Sequence, residues 1–226
     1  MQQTKPLAYF KKSDLFSRLR DAELEELAAT AVPKAFPKGA FIIQKDAPGD
    51  DLYLIVSGNV KVTLYSEDGR ELILAELREG DFFGEMSLLD GKPRSAMVIA
   101  LEATEALVVR RRDFLAILNR NPAMAVKIIE ALCQRLREAD EKIESLAMLD
   151  VFGRVARVIL QMAAKEGVRQ GDLTVLTRRI THQEIASMAG TSRETVSRVL
   201  SRFQKRGHLS FSGRRLVLPP NFGSQL

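Results

Sequence analysis

The chain has 226 residues, 46% of them hydrophobic and 28% charged, with a net charge of +5; such composition suits one large or two small cores and excludes collagen-like, low-complexity and disordered chains. The longest apolar run, Ala96 to Leu101, has only six residues, and the opening MQQTKPLAYF lacks a signal-peptide core, so a soluble, cytoplasmic chain is expected. Cys133 is the single cysteine and His182 and His208 are the two imidazoles, which excludes an internal disulfide framework and leaves no expectation of a metal site.

Charge is unevenly placed. From Asp150 onward there are 13 Lys and Arg against 5 Asp and Glu, a net of +8, while the first 149 residues hold 21 against 24, a net of −3. A polyanion-binding module joined to a module of another kind has this asymmetry. In chain order, residues Leu15 to Val32 carry Leu19, Leu24 and Leu27 at helical spacing, with Asp21 placed to cap a short helix. Between Lys34 and Arg110 the period changes to short β-type runs (FIIQ, LYLIV, VKVTLY, LILAEL, AMVIAL, ALVVR). Turn signals such as Pro48-Gly49-Asp50 and Ser57-Gly58-Asn59 separate them, which predicts an all-β roll, barrel or sandwich.

After Asn121-Pro122 the pattern is helical as far as Leu149. Within it Ile129, Leu132, Leu136, Ala139, Ile143 and Leu146 are spaced 3, 4, 3, 4, 3. That a/d seam predicts pairing with an identical helix in a homodimer, the alternative being burial against the chain's own β-domain. Charged residues, among them Arg135, Arg137 and Glu138, fill most of the remaining positions. Asp150 suits the N-cap of a fresh helix to about Ala164, making Leu149-Asp150 a hinge, with a loop from Lys165 to Asp172 after it. A strand (TVLTR), two helices and a hairpin (LSF and LVL around Ser212 to Arg215) complete a winged helix-turn-helix. The expected fold class is α+β, with a jelly-roll-like β-roll at 10–121, a dimerisation helix and hinge at 122–149 and the winged domain at 150–226.

Two segments carry chemistry. Thr181 with Glu184 and Thr191 with Glu194 read as two capping boxes, and Gly190 between them suits a left-handed turn. Ile185, Ala186, Ala189, Val196 and Val199 fill the shared core. The second helix presents Arg193, Glu194 and Arg198 outward: arginine forks onto guanine O6 and N7, and glutamate accepts from cytosine N4, a donor and acceptor set for the major groove. Thr181, Gln183, Ser192 and Ser197 are further candidate DNA contacts, and Arg178, Arg179, Arg202, Lys205, Arg206, Arg214 and Arg215 are expected phosphate partners. The other segment is Phe83-Gly84-Glu85-Met86-Ser87-Leu88-Leu89 followed by Pro93-Arg94-Ser95-Ala96. A glycine at a helix start frees backbone N–H groups for an anion, an arginine ten residues on forks onto phosphate, and the carboxylate accepts from a ribose hydroxyl.

Together FGEMSLL…PRSA, the seam helix ending in LAMLDVFGR and THQEIASMAGTSRETVSRVL resemble the cyclic-AMP receptor protein and fumarate-nitrate regulator family, over about Phe10 to Leu218. The resemblance implies a cyclic-nucleotide-binding roll that dimerises through its helix and controls two winged domains on a palindromic operator. It implies Gly84, Glu85, Met86, Ser87, Arg94 and Ser95 around the cyclic phosphate and ribose, and Arg193, Glu194 and Arg198 as base readers of a half-site close to TGTGA. Double-stranded DNA, a second copy of the chain and RNA polymerase are the implied partners. The family's iron-sulfur sensors need four cysteines and its haem sensors a Cys and His pair in the roll, and neither set is present. Where cyclic-AMP receptors offer a Thr-Ser pair to the adenine, this chain has Ala139-Asp140, and a lone carboxylate suits the two donors of guanine better. The effector is therefore open between cyclic AMP, slightly favoured, cyclic di-GMP, and none. No enzyme is expected, because the cassette offers neither a histidine nor a nucleophile beside a base.

Overall fold

The computed structural model describes residues 4–213 and 215–224. They form two compact units, one running to Leu64 and resuming over Leu74–Glu138, the other made of Tyr65–Ile73 and the residues from Ala139 on.

Along the chain α1 (Thr4–Lys12) and α2 (Asp21–Thr30) precede β1 (Val32–Phe36), β2 (Phe41–Ile43), β3 (Asp51–Ser57), β4 (Val60–Tyr65), β5 (Glu71–Leu77), β6 (Phe82–Phe83), the short α3 (Glu85–Asp90), β7 (Met97–Ala100), β8 (Thr104–Arg110), α4 (Arg111–Arg120) and α5 (Pro122–Met148), with part of β5 and the end of α5 belonging to the second unit. The strands form two four-stranded sheets, in the orders β1-β8-β3-β6 and β2-β7-β4-β5. Ile43, Val60 and Val98 of one sheet pack with Tyr53, Ile55, Phe83 and Val108 of the other. The opposite face of β3 and β8, with Leu52, Leu54, Leu107 and Val109, meets Phe10, Leu27, Phe114, Met124 and Ile128 from the helices. Burial on both faces explains why β3 reads as the continuous apolar run LYLIV rather than an alternating one. The expectation of a β-structure holds for this stretch, except that the short helix α3 interrupts it between β6 and β7. Asp21, expected as the cap of α2, is instead its first residue: Arg20 is the N-cap, and its backbone N–H is taken by the Glu23 carboxylate at 2.9 Å.

Helix α5 spans the whole expected seam without a break. Ile129, Leu136 and Ile143 are 57%, 62% and 63% exposed in the single chain, Leu146 and Ala139 are exposed too, and Leu132 packs partly against the first core. A helix stays formed at this length when one stripe finds apolar cover, and among the described residues most of this stripe has none.

The second unit continues through α6 (Val151–Glu166), β9 (Gly167–Gln170), β10 (Leu173–Leu176), α7 (His182–Ala189), α8 (Arg193–Lys205), β11 (Ser210–Ser212) and β12 (Arg215–Leu218). Asp150 caps α6 as expected, accepting from the Gly153 amide at 2.8 Å. The segment expected as a loop, Lys165 to Asp172, instead finishes α6 and forms β9, which pairs with β10 from Leu176↔Gly167 to Leu173↔Gln170 around Gly171-Asp172. The sheet order β11-β12-β10-β9 builds the wing onto that hairpin. Val155, Ile159, Ile185, Ala186, Val196, Val199, Phe203 and Leu216 close the core, with Phe203 edge-on to Phe222 at 5.9 Å.

Removing the α6 cap is expected to cost about 1 kcal/mol. Asp150→Ala should lower the urea midpoint for loss of winged-domain structure, and an unchanged midpoint counts against the cap.

Candidate functional site

The cassette between β6 and β7 is built around a left-handed glycine. Gly84 has φ +87°, and a Cβ there would stand 2.6 Å from the Asp51 carbonyl and 2.7 Å from an Arg94 guanidinium nitrogen, so the position accepts only glycine. From Gly84 the chain turns directly into α3, which buries Glu85 and Ser87 and leaves Met86 exposed. Arg94 returns to the same place from the loop before β7. It is 6% exposed, and its two terminal nitrogens donate to the carbonyls of Gly84 (2.8 Å) and Asp51 (3.0 Å). Gly49 makes room for it, since a Cβ on Gly49 would fall 1.8 Å from Arg94 Nε. Ser95 is exposed, its hydroxyl 3.7 Å from the Met86 sulfur. Burial raises the Tyr53 phenol above its ordinary range; its ring stacks flat on Phe83 at 4.8 Å beside the cassette.

Sequence reasoning missed the partner of Glu85. Its side chain is 4% exposed and pairs at 2.6 Å with Arg135 of α5. Arg135 also donates to the Phe82 carbonyl and lies over the Phe82 ring, 4.7 Å from its centroid. Expected to be one of the charges flanking the seam, it is turned into the roll. Its distance from the cassette in sequence, 50 residues, leaves no local signal for the pairing. The structure thus brings together Gly84, Glu85, Ser87 and Arg94, and adds Gly49, Asp51 and Arg135. Ala139 and Asp140 belong to the second compact unit, where both are exposed on α5.

In the helix-turn-helix, Thr181 caps α7, accepting from the Glu184 amide at 3.1 Å, while the Glu184 carboxylate, expected to close a capping box, accepts from Arg178 instead. The second cap is shifted by one residue. Gly190, at φ +61°, ends α7, and the Thr191 amide is taken by the Ala186 carbonyl at 3.0 Å. Thr191 therefore still belongs to the finish of α7. Ser192, not Thr191, caps α8, accepting from the Thr195 amide at 3.2 Å. The expected core residues Ile185, Ala186, Ala189, Val196 and Val199 are all buried, so the opposite face of α8 is set outward. On it Arg193, Glu194, Ser197 and Arg198 are exposed, and Ser197, Arg198, Ser201, Arg202 and Lys205 line one shallow groove. Arg198 donates to the Thr195 hydroxyl at 3.1 Å. The Glu194 carboxyl is held below its ordinary range by its own amide at the open helix end, helped by the Ser192 hydroxyl and by Arg193 and Arg198.

Among the expected phosphate partners, Arg179, Lys205, Arg206 and Arg215 are exposed; Arg214 lies outside the described residues. Arg202 covers the Phe152 ring at 4.7 Å. Arg178, expected as a phosphate partner, is paired with Glu166 and Glu184, and chiefly the Glu184 bond raises its already high pKa. Gln183 is exposed and its amide lies 3.4 Å from the Ser187 hydroxyl.

A roll with an anion-type cassette and a winged helix-turn-helix on one chain mark a DNA-binding regulator. The cyclic nucleotide-binding domain family matches residues 33–121, and the Crp-like helix-turn-helix domain family matches residues 153–220. The chain is 31% identical over 207 residues to the CRP-like cAMP-activated global transcriptional regulator of Mycobacterium tuberculosis, covering 92% of each chain. It is 39% identical over 197 residues to the cyclic AMP receptor protein of Thermus thermophilus, covering 87% of this chain and 88% of that one. Among solved structures it resembles the c-di-GMP responsive global regulator CLP of Xanthomonas campestris, with a TM-score of 0.78 and 27% identity over 88% of this chain and 99% of that one. The chain belongs to the CRP/FNR family of transcription regulators, with a cyclic nucleotide-binding domain and a DNA-binding helix-turn-helix. Among the described residues no helix is long and apolar enough to cross a membrane.

Arg135→Met strands a buried carboxylate and frees the Phe82 carbonyl. It is expected to destabilise the β-roll by about 2 kcal/mol, read in chemical denaturation. Equal stability would mean that the pair contributes nothing net.

Proposed function

We propose that the chain works as a homodimer on a palindromic TGTGA-like operator, with DNA affinity set by a cyclic nucleotide bound at the Gly84–Arg94 cassette. The observation that carries the DNA half is the outward face of α8. Its N-terminal turns expose Arg193, Glu194, Ser197 and Arg198 while Val196, Val199 and Leu200 anchor the other face. Arg193 and Arg198 are assigned to guanine edges and Glu194, a carboxylate at neutral pH, to a cytosine amino group. Thr181, Gln183, Ser192, Arg179, Arg202 and Arg215 are assigned to the flanking backbone, where charge gives affinity without sequence. Arg178, already balanced by two carboxylates, contributes less there. The exposed Ile129, Leu136 and Ile143 stripe supports pairing of α5 with its copy, and RNA polymerase is the proposed downstream partner.

Buried Arg94 and the amides after Gly84 are assigned to the cyclic phosphate, with Arg94 exchanging a backbone carbonyl for phosphate oxygens, and Glu85 to the ribose hydroxyl. Cyclic AMP is the favoured effector, as the names of the Mycobacterium and Thermus relatives suggest. Asp140, an acceptor without a donor, favours a second reading in which a guanine nucleotide such as cyclic di-GMP binds, and the Xanthomonas relative is c-di-GMP responsive.

Arg193→Ala should weaken binding to a TGTGA palindrome by about 1–3 kcal/mol and relax discrimination at one base pair per half-site, as read by fluorescence anisotropy at fixed salt. An unchanged base preference removes Arg193 as a reader. Calorimetry with cyclic AMP, cyclic GMP and cyclic di-GMP tests the sensing half, and Asp140→Ser should move the preference toward cyclic AMP. Silence with all three nucleotides rejects the cassette as a nucleotide site.

A further inference from the structure

One arginine of the second unit is spent neither on DNA nor on a carboxylate. Arg154, in the first turn of α6, sends Nε to the Ala189 carbonyl and Nη1 to the Leu149 carbonyl, both at 3.0 Å. Each acceptor is a helix-end carbonyl. Leu149 closes α5, its own amide still bonded to Ser145 at 3.2 Å, and Ala189 is the last residue of α7 before left-handed Gly190. Carbonyls at a helix C-terminus have no partner further along the helix and carry the negative end of its dipole, so a cation is favoured at both places. Here one guanidinium serves the two ends at once.

The consequence falls on α8. Only Gly190, Thr191 and Ser192 separate Ala189 from the recognition helix, and each is constrained. Gly190 is held left-handed at φ +61°, the Thr191 amide is bound to Ala186, and Ser192 caps Thr195. A turn without slack transmits the position of Ala189 to Arg193 and Glu194. The turn also lies against the last turns of α5, because a Cβ on Gly190 would come within 3.0 Å of Leu146 Cδ2. The end of α5, the start of α6 and the turn before α8 therefore meet around one side chain.

We propose that Arg154 is a positioning residue for operator reading: its fork fixes the start of α8 relative to the end of α5, and so sets the half-site spacing that a dimer accepts. This rests on the homodimeric, palindrome-binding reading above. If α5 pairs with its copy, the two Leu149 carbonyls stand at a fixed separation, and the two copies of α8 reach out from them. Two acceptors on different helices need N–H groups fixed in one plane, which guanidinium provides and an ammonium on a flexible stem does not. Lysine at 154 keeps the charge and loses the geometry.

The test uses the full chain as wild type, R154M and R154K. Anisotropy measures binding to an inverted TGTGA repeat at the spacing the wild type prefers, to the same repeat with one base pair added or removed at the centre, to a single half-site, and to shuffled DNA. The wild type should lose about tenfold in affinity on either spacing change. In both variants that penalty should shrink about fivefold or more, while the preference of a single half-site over shuffled DNA stays as in the wild type. A folded variant that keeps the full spacing penalty overturns the positioning role, and so does one that loses half-site preference as well. If R154M does not fold, R154K decides. A wild type that does not distinguish the repeat from shuffled DNA overturns the palindrome reading itself, an outcome separate from a failure of Arg154 alone.

Discussion

Burying a carboxylate requires that its charge be met within the fold, because the desolvation cost of an unpaired ion exceeds what a small domain has to spare. Among the described residues two carboxylates are buried: Glu23, met locally by Arg20, and Glu85, met by a charge that comes from α5. The second pairing has two consequences. The cassette is not complete within residues 33–121, the stretch matched by the nucleotide-binding family, since Arg135 lies beyond it. And any ligand that donates hydrogen bonds to the Glu85 carboxylate competes with, or adds to, a bond donated by the helix that carries the exposed apolar stripe.

The same logic of unsatisfied groups organises the second unit. Helix ends leave carbonyls and amides without partners, and this unit answers five of them with a specific residue: Asp150 at the start of α6, Thr181 at α7, Ser192 at α8, and Arg154 across the ends of α5 and α7. Short helices of eight and thirteen residues are marginal alone. With their ends closed and Phe203 and Val196 buried, they hold the α8 surface in one orientation. Rigidity of this kind favours base reading, because a bidentate contact is lost with small displacements of the arginine that makes it.

Much of this was legible in the sequence, where period and punctuation coincide. The β-run rhythm, the spacing of the α5 stripe, the Asp150 and Thr181 caps and the apolar set of the helix-turn-helix are local patterns, and the structure has them. Elements with weak burial were not legible. Helix α4 buries only Phe114 and Ile117, and β9 leaves Val168 half exposed, so neither shows a clear period. The second cap was misplaced because Thr191 and Ser192 are both competent hydroxyls, and the choice is made by the finish of α7, which consumes the Thr191 amide. At the cassette, glycine, carboxylate and arginine were readable as an anion site. The Arg135 partner was not, because a charge beside an apolar seam looks the same whether it faces water or a buried acid.

On the function proposed above, nucleotide bound at the cassette would act on DNA affinity through α5. The direct measurement is operator affinity with and without saturating cyclic nucleotide, in the wild type and in Arg135→Met. A change of about 5- to 150-fold is expected in the wild type and a ratio near one in the variant, with operator preference intact in both. A wild-type affinity indifferent to nucleotide, or an equal response in the two proteins, would mean that α5 carries no signal from the cassette.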